Sequence, residues 1–169
     1  MTSSTIPAEL VTVKICSLLD VSRIVSVGRE IAADPDVIFE LIADPAQQPR
    51  WDGNDNLTEA AAGQRVHGVG DVFRTLIYSG EIRENHIVEF EEGRRIAWLP
   101  SEEGKPPPGH LWRWEIEPLG DGPAGRSKVT HTYDWTNLTE EKRLKRAEAT
   151  TADNLAASIE RLATLSEGA

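Results

Sequence analysis

NLTEEKRLKRAEATTADNLAASIERLATLS, residues 137–166, contains neither glycine nor proline. Small and apolar groups recur in it at helical spacing: Leu144, Ala147, Thr151, Leu155, Ile159 and Leu162. That period predicts one long amphipathic helix with a single inward stripe. Asn137 followed by Glu140 fits a capping box, with an acceptor for the first free N–H groups and a carboxylate reaching back. Gly168 supplies a stop. The stripe is uneven, because its second half is aliphatic while its first half has Leu144 as its one large apolar group. Two arrangements satisfy it. Either the whole helix docks closely on a sheet, or the aliphatic half packs on a core while Ala147 and Thr151 roof a cavity.

Upstream of this helix the chain reads mostly as strands. Residues 22–32 place Val25, Val27, Arg29 and Ile31 on one side, the alternation of a strand. Asp34-Pro35 then opens a short helix, with Asp34 as N-cap and Pro35 at the first helical position; Val37, Ile38, Leu41 and Ile42 form its buried face. Asp44-Pro45 ends that helix and starts a second one, broken at Pro49 before Trp51. Strand patterns follow, weakly at 57–62 and then at 71–79, 81–90, 95–101, 111–117 and 128–136. Turn chemistry joins them at Ser79-Gly80, at Glu92-Gly93, in GKPPPG (104–109) and in GDGPAG (120–125). Short turns between successive strands imply an antiparallel meander. The expected class is α+β: a curved antiparallel sheet of six to seven strands wrapped around the C-terminal helix, with two short helices after the first strand. A sheet of that length curls, and its concave face needs a cover.

The 169 residues suffice for one domain with a sizeable core, taken as 21–169 after an N-terminal extension, 1–20. A formal charge of −10 argues against nucleic acid or an anionic membrane as partner. The single cysteine, Cys16, leaves no internal disulfide framework and suits a reducing cytoplasm. No run has the length of a membrane span, and residues 11–19 lack the flanks of a secretory signal.

Several stretches carry a family resemblance in their order: REIAADPDVIFELIADPAQQPRWD, GVGDVFR, IVEFEEGRRIAW, WRWEIEP and SKVTHTYDW. The chain resembles the START/Bet v1-like superfamily (SRPBCC), and within it the actinobacterial polyketide cyclase/dehydrase-type branch, over residues 22–166. The resemblance implies a helix-grip fold enclosing an apolar cavity, and binding of lipids, sterols, quinones or polyketides. Some members catalyse cyclisation or dehydration. The superfamily has no shared catalytic motif, so no catalytic residue carries over.

Strand parity selects the side chains that would line such a cavity. Trp112, Trp114 and Ile116 share one face, with His110 in the same parity; Val129, His131, Tyr133 and Trp135 share another, and Ile96 and Trp98 a third. For 81–90 the loop length decides. An odd loop between Glu91 and Arg95 turns His86, Val88 and Phe90 inward, whereas a two-residue turn at Glu92-Gly93 turns Ile87 and Glu89 inward. The first is preferred because it sets Phe90 beside Ile96. The expected ligand-binding set is Trp98, His110, Trp112, Trp114, His131, Tyr133, Ala147, Thr151 and Leu155.

Histidines near neutral pH suit proton transfer, so His86, His131 and Tyr133 are the catalytic candidates. Each histidine also has a structural role open to it, at the rim or bonded to an aromatic hydroxyl or backbone group. No metal is expected, because the histidines lack ligand spacing, and no cofactor. The glycines of GVGDVF lack the lysine of a phosphate loop and suit a tight turn. Aromatic walls favour flat, ring-bearing ligands. The leading expectation is a small binding protein for a hydrophobic molecule, monomeric or homodimeric. The alternatives are a cyclase or dehydratase using cavity histidines, and a partner-binding module using the acidic exterior and the extension.

Overall fold

The structure is a computed structural model that describes residues 22–120 and 125–168. The extension 1–20, Cys16 and the middle of the GDGPAG turn lie outside the described residues. The alternating opening segment forms β1 (Ile24–Ile31). Helix α1 (Pro35–Ala43) follows with Asp34 at its N-cap and Pro35 in its first turn, although the Asp34 side chain makes no capping bond. Asp44 caps a short 3-10 turn, Pro45–Gln47, accepting from the Ala46 N–H at 3.2 Å. Helix α2 (Gln48–Trp51) then carries Pro49 in its first turn. Pro49 therefore starts this helix instead of breaking it, since a first-turn residue needs no intrahelical donor.

The remaining strands are β2 (Leu57–Glu59), β3 (Val72–Ile77), β4 (Ile82–Glu91), β5 (Arg95–Glu102), β6 (Leu111–Pro118) and β7 (Ser127–Asp134). They form one antiparallel sheet of seven strands in the order β1-β7-β6-β5-β4-β3-β2. Each neighbour from β2 to β7 is the next strand in sequence, and β1 closes the order by pairing β7.

The long C-terminal helix is two helices. Helix α3 (Glu141–Ala149) begins at Glu140, and no capping box forms at Asn137. Thr150 and Thr151 are both extended, and Thr151 caps α4 (Ala152–Glu167). The Thr151 N–H donates to Asn154 Oδ1 at 3.0 Å, the reach-back half of a capping box. Two β-branched residues are poor helix interior, and a Thr-x-x-Asn pattern offers the chain a better use as a start site. Gly168 sits at the C-cap of α4 as expected.

Helix α4 packs its aliphatic stripe on β1, β7, α1 and α2. Ile159 and Leu162 join Ile38, Phe39 and Ile42 of α1, Trp51 of α2, and Ile96, Trp114 and Val129 of the sheet in the larger core. A smaller core gathers Tyr133, Trp135, Leu138, Ala147 and Leu155 around the junction of α3 and α4.

Strand β4 changes face midway. Ile87 pairs with Trp98 and Glu89 with Ala97, leaving Val88 as an extra residue. Asn85 and Ile87 are buried before this bulge, and after it Phe90 packs on the core while Glu89 turns to the outer face and pairs with Arg113. The loop 92–94 has an odd count and sets Phe90 opposite Ile96, as the odd-loop reading requires. That reading fails for His86, because a bulge shifts the parity by one residue and no sequence pattern marks it here.

The Thr151 cap has a measurable consequence. Thr151→Ala should lower stability by about 1 kcal/mol in denaturant unfolding, the usual value of a lost N-cap. A single continuous helix would instead be stabilised by alanine at that position.

Candidate functional site

Between the sheet and the elements covering it lies a cavity of about 210 Å³. Its floor is the concave face of the sheet: Thr75 and Ile77 from β3, Arg83 and Asn85 from β4, Trp98 and Pro100 from β5, Trp112 and Trp114 from β6, His131 and Tyr133 from β7. Its roof is Gln48 and Trp51 of α2 with Asp52, Asn54, Asn56 and Leu57 beyond it. Leu138, Arg143 and Arg146 close the side at α3.

Cross-strand register builds the aromatic wall. Trp112 lies opposite Tyr133 and Trp114 opposite His131. Facing rings stack: Trp114 on His131 with centroids 3.6 Å apart, Trp112 on Tyr133 at 4.2 Å. Trp51 meets Trp114 edge-on at 5.3 Å, and Phe73 meets Trp98 edge-on at 5.5 Å. Both geometries suit the ring quadrupoles.

His131 is fully enclosed and its Nδ1–H donates to the Arg113 carbonyl at 3.0 Å. A carbonyl only accepts, so the neutral ring carries its proton on Nδ1 and leaves Nε2 as an acceptor. Burial pushes its pKa down to about 3, against the smaller opposing effect of the Arg113 carbonyl. His110 stands just before β6, with Nδ1 buried and without a partner. Burial first, then the charges of Arg143 and Arg83, push it down to about 4. Burial also raises the Tyr133 phenol to about 12. All three groups are uncharged at neutral pH.

Asp52 is the carboxylate of the site. It is 6% exposed; its Oδ1 accepts from the Asn54 side-chain amide at 3.1 Å, and its Oδ2 is buried with no partner. Desolvation raises its pKa, the bonds from Asn54 partly offsetting this. The loop carrying it is held against α4. The Gly53 N–H donates to Ser158 Oγ at 2.8 Å, and Arg161 donates to the Asp52 carbonyl at 2.6 Å and to the Asp55 carboxylate at 2.7 Å. A Cβ on Gly53 would lie 2.6 Å from the Asn154 carbonyl oxygen and the Ser158 nitrogen, so only glycine allows this approach.

Of the residues expected to line the site, Trp98, His110, Trp112, Trp114, His131 and Tyr133 face the cavity together. Ala147, Thr151 and Leu155 do not. Ala147 and Leu155 are buried in the smaller core, and Thr151 is exposed at the start of α4. The break at Thr150-Thr151 is the reason, since it turns α3 alone toward the cavity and leaves α4 to pack on the sheet and hold the 52–55 loop. His86 lies on the other face of β4, its Nε2 bonded to Ser101 Oγ at 3.0 Å. It is removed from the catalytic candidates. The polar lining, above all Asp52 and the arginines 83, 143 and 146, escaped the sequence reading. Asp52 sits in an unpatterned loop, and the arginines resemble ordinary surface charge. Among the described residues no three His, Cys, Asp or Glu side chains converge as a metal site, and no helix is long and apolar enough to cross a membrane.

A curved antiparallel sheet covered by short helices and a long C-terminal helix, with a cavity between, defines the helix-grip class. The chain belongs to the family described as polyketide cyclase/dehydrase and lipid transport, whose model matches residues 22–167. Comparison with curated proteins gives no significant match. Solved structures share the fold at low identity. A protein from Nitrosomonas europaea is 16% identical with a TM-score of 0.64, covering 89% of this chain and 97% of its own. A START superfamily protein from Mycobacterium smegmatis is 15% identical with a TM-score of 0.58, covering 86% and 97%. The Aha1 dimer from Colwellia psychrerythraea is 15% identical with a TM-score of 0.57, covering 85% and 96%.

Two buried titrating groups, His131 and Asp52, predict opposite pH effects. Between about pH 6.5 and pH 3 an unfolded histidine takes a proton that folded His131 refuses, so stability falls as the pH drops through that window. The slope approaches about 1.4 kcal/mol per pH unit for each such group, and His131→Phe should flatten the stability curve there in urea titrations. Asp52 acts the other way, since its raised pKa makes the folded state lose stability as the carboxyl ionises. Asp52→Asn should raise the melting temperature at neutral pH, and the gain should shrink as the pH approaches about 4.

Proposed function

We propose that this protein binds a small ring-bearing, largely hydrophobic molecule in the cavity between the sheet and α2–α3. The observation that carries the reading is the stacked wall Trp114, His131, Trp112 and Tyr133 facing an open volume. Stacked rings that filled only a core would need no such space beside them, and flat ligands gain from aromatic faces beyond the area they bury. Membership of a family that includes lipid transport is consistent with it. The volume lies below the range of about 300–1,000 Å³ usual for drug-sized ligands, which favours one or two rings over a long acyl chain. The site set we propose is Trp98, His110, Trp112, Trp114, His131 and Tyr133. The reading includes a cytoplasmic location, supported by the single cysteine, and action as a monomer or homodimer. We also propose that 21–169 act as one domain after the 1–20 extension.

A second reading, proton transfer on the bound molecule, rests on Asp52. A buried carboxyl that belongs to the cavity lining, with a raised pKa and an oxygen without a partner, can accept or return a proton. The histidines support this reading poorly, because His131 is held neutral and His86 faces away.

Titration with the neutral fluorophore N-phenylnaphthylamine tests the binding reading. Trp112→Ala should weaken binding by about three- to tenfold, the value of one aromatic stack. Trp114→Ala, fully buried, should also cost about 3–5 kcal/mol of stability. Probe binding unchanged in a folded Trp112→Ala would place the ligand elsewhere.

A further inference from the structure

We infer that the cavity selects an anionic ring compound, with a carboxylate or similar oxyanion at the arginine side and the ring on the tryptophan wall. This rests on the binding reading above and names its ligand class. Arg83, Arg143 and Arg146 all line the cavity, in a chain whose net charge is −10. Their donors are only partly used. Arg83 and Arg143 are about one-fifth exposed; Arg83 gives one Nη2 bond to Glu81, and Arg143 gives Nε to Glu140 and Nη2 to Glu102. A guanidinium carries five N–H donors, so the Arg143 Nη1 group and the Nε and Nη1 groups of Arg83 have no acceptor among the described residues. Arg146, an exposed residue that also lines the cavity, donates to no acceptor among the described residues. Donors of this kind match a planar oxyanion in bidentate fashion.

The acid of the cavity does not neutralise them. Asp52 belongs to the roof loop, and the charges that act on it are Asp55 and Arg161. Arg83 on β4 and Arg143 and Arg146 on α3 put the cationic side of the cavity between those two elements, and His110 lies close enough to feel the charges of Arg143 and Arg83. His110 Nδ1, buried and unpartnered, stands beside that side as a further polar contact.

Three probes of one shape separate the possibilities: naphthoate, naphthylmethanol and naphthylmethylammonium, titrated against tryptophan fluorescence and by calorimetry. The inference expects naphthoate to bind about tenfold or more tightly than the alcohol, and the ammonium compound to bind weakest. It also expects naphthoate affinity to fall with added salt while that of the alcohol holds. Arg146→Gln, which breaks no ion pair in the structure, should weaken naphthoate by about tenfold and leave the alcohol unchanged. Arg83→Gln should act likewise, and it remains informative if Arg143→Gln loses α3 through its carboxylate partners. Alcohol binding as tight as naphthoate, or naphthoate affinity indifferent to both substitutions, overturns the inference and leaves the cavity reading standing. No binding of any of the three probes overturns both.

Discussion

The site depends on a close approach of backbone to backbone, the seat of Gly53 on α4. The approach leaves no room for a side chain, and it fixes a loop that otherwise has no regular structure. Ser158 takes the Gly53 N–H, and Arg161 ties the loop at both Asp52 and Asp55. Asp55 adopts φ of 54°, a conformation that is uncommon away from glycine and that the Arg161 fork helps to hold. Through this clamp α4 acts on the cavity without lining it. Its apolar stripe is consumed by the core, and its polar edge sets where Asp52 and Asn54 stand.

The same division of labour runs across the sheet. Two registered pairs, Trp112 with Tyr133 and Trp114 with His131, lay four rings along adjacent strands. Their stacking makes one aromatic wall, and the burial that comes with it lowers the basicity of His131. The opposite lining is polar, with Asn85, Thr75, Asn54 and Asp52. Unpartnered buried atoms at Asp52, His110 and Trp114 are unfavourable in an empty fold, because each loses hydration without gaining a hydrogen bond. All three residues belong to the cavity lining; a fourth such atom among the described residues, Trp135 Nε1, lies in the smaller core.

Charge follows a similar logic. The exterior is acidic, and most of its arginines are spent on surface carboxylates, as with Arg65 between Glu40 and Glu92 or Arg126 with Glu30. Exposed pairs of this kind add little stability individually. Arg83, Arg143 and Arg146 differ from these in lining the cavity.

The strand alternations, the turn residues and the inward tryptophans were legible in the sequence because each depends on local period and local backbone preference. They sufficed for the α+β class, for the antiparallel meander and for the six aromatic and histidine side chains that meet in the cavity. The face of His86 was not legible, since one extra residue at Val88 reverses parity and is decided by how β4 meets β5. Nor was the division of the last helix, although Thr151 and Asn154 held its signal; a continuous stripe and a capped break have nearly the same periodicity. Asp52 and the arginines became visible as site residues only in three dimensions. What brings them together is a shared cavity, which is a property of contacts between distant segments that no local pattern encodes.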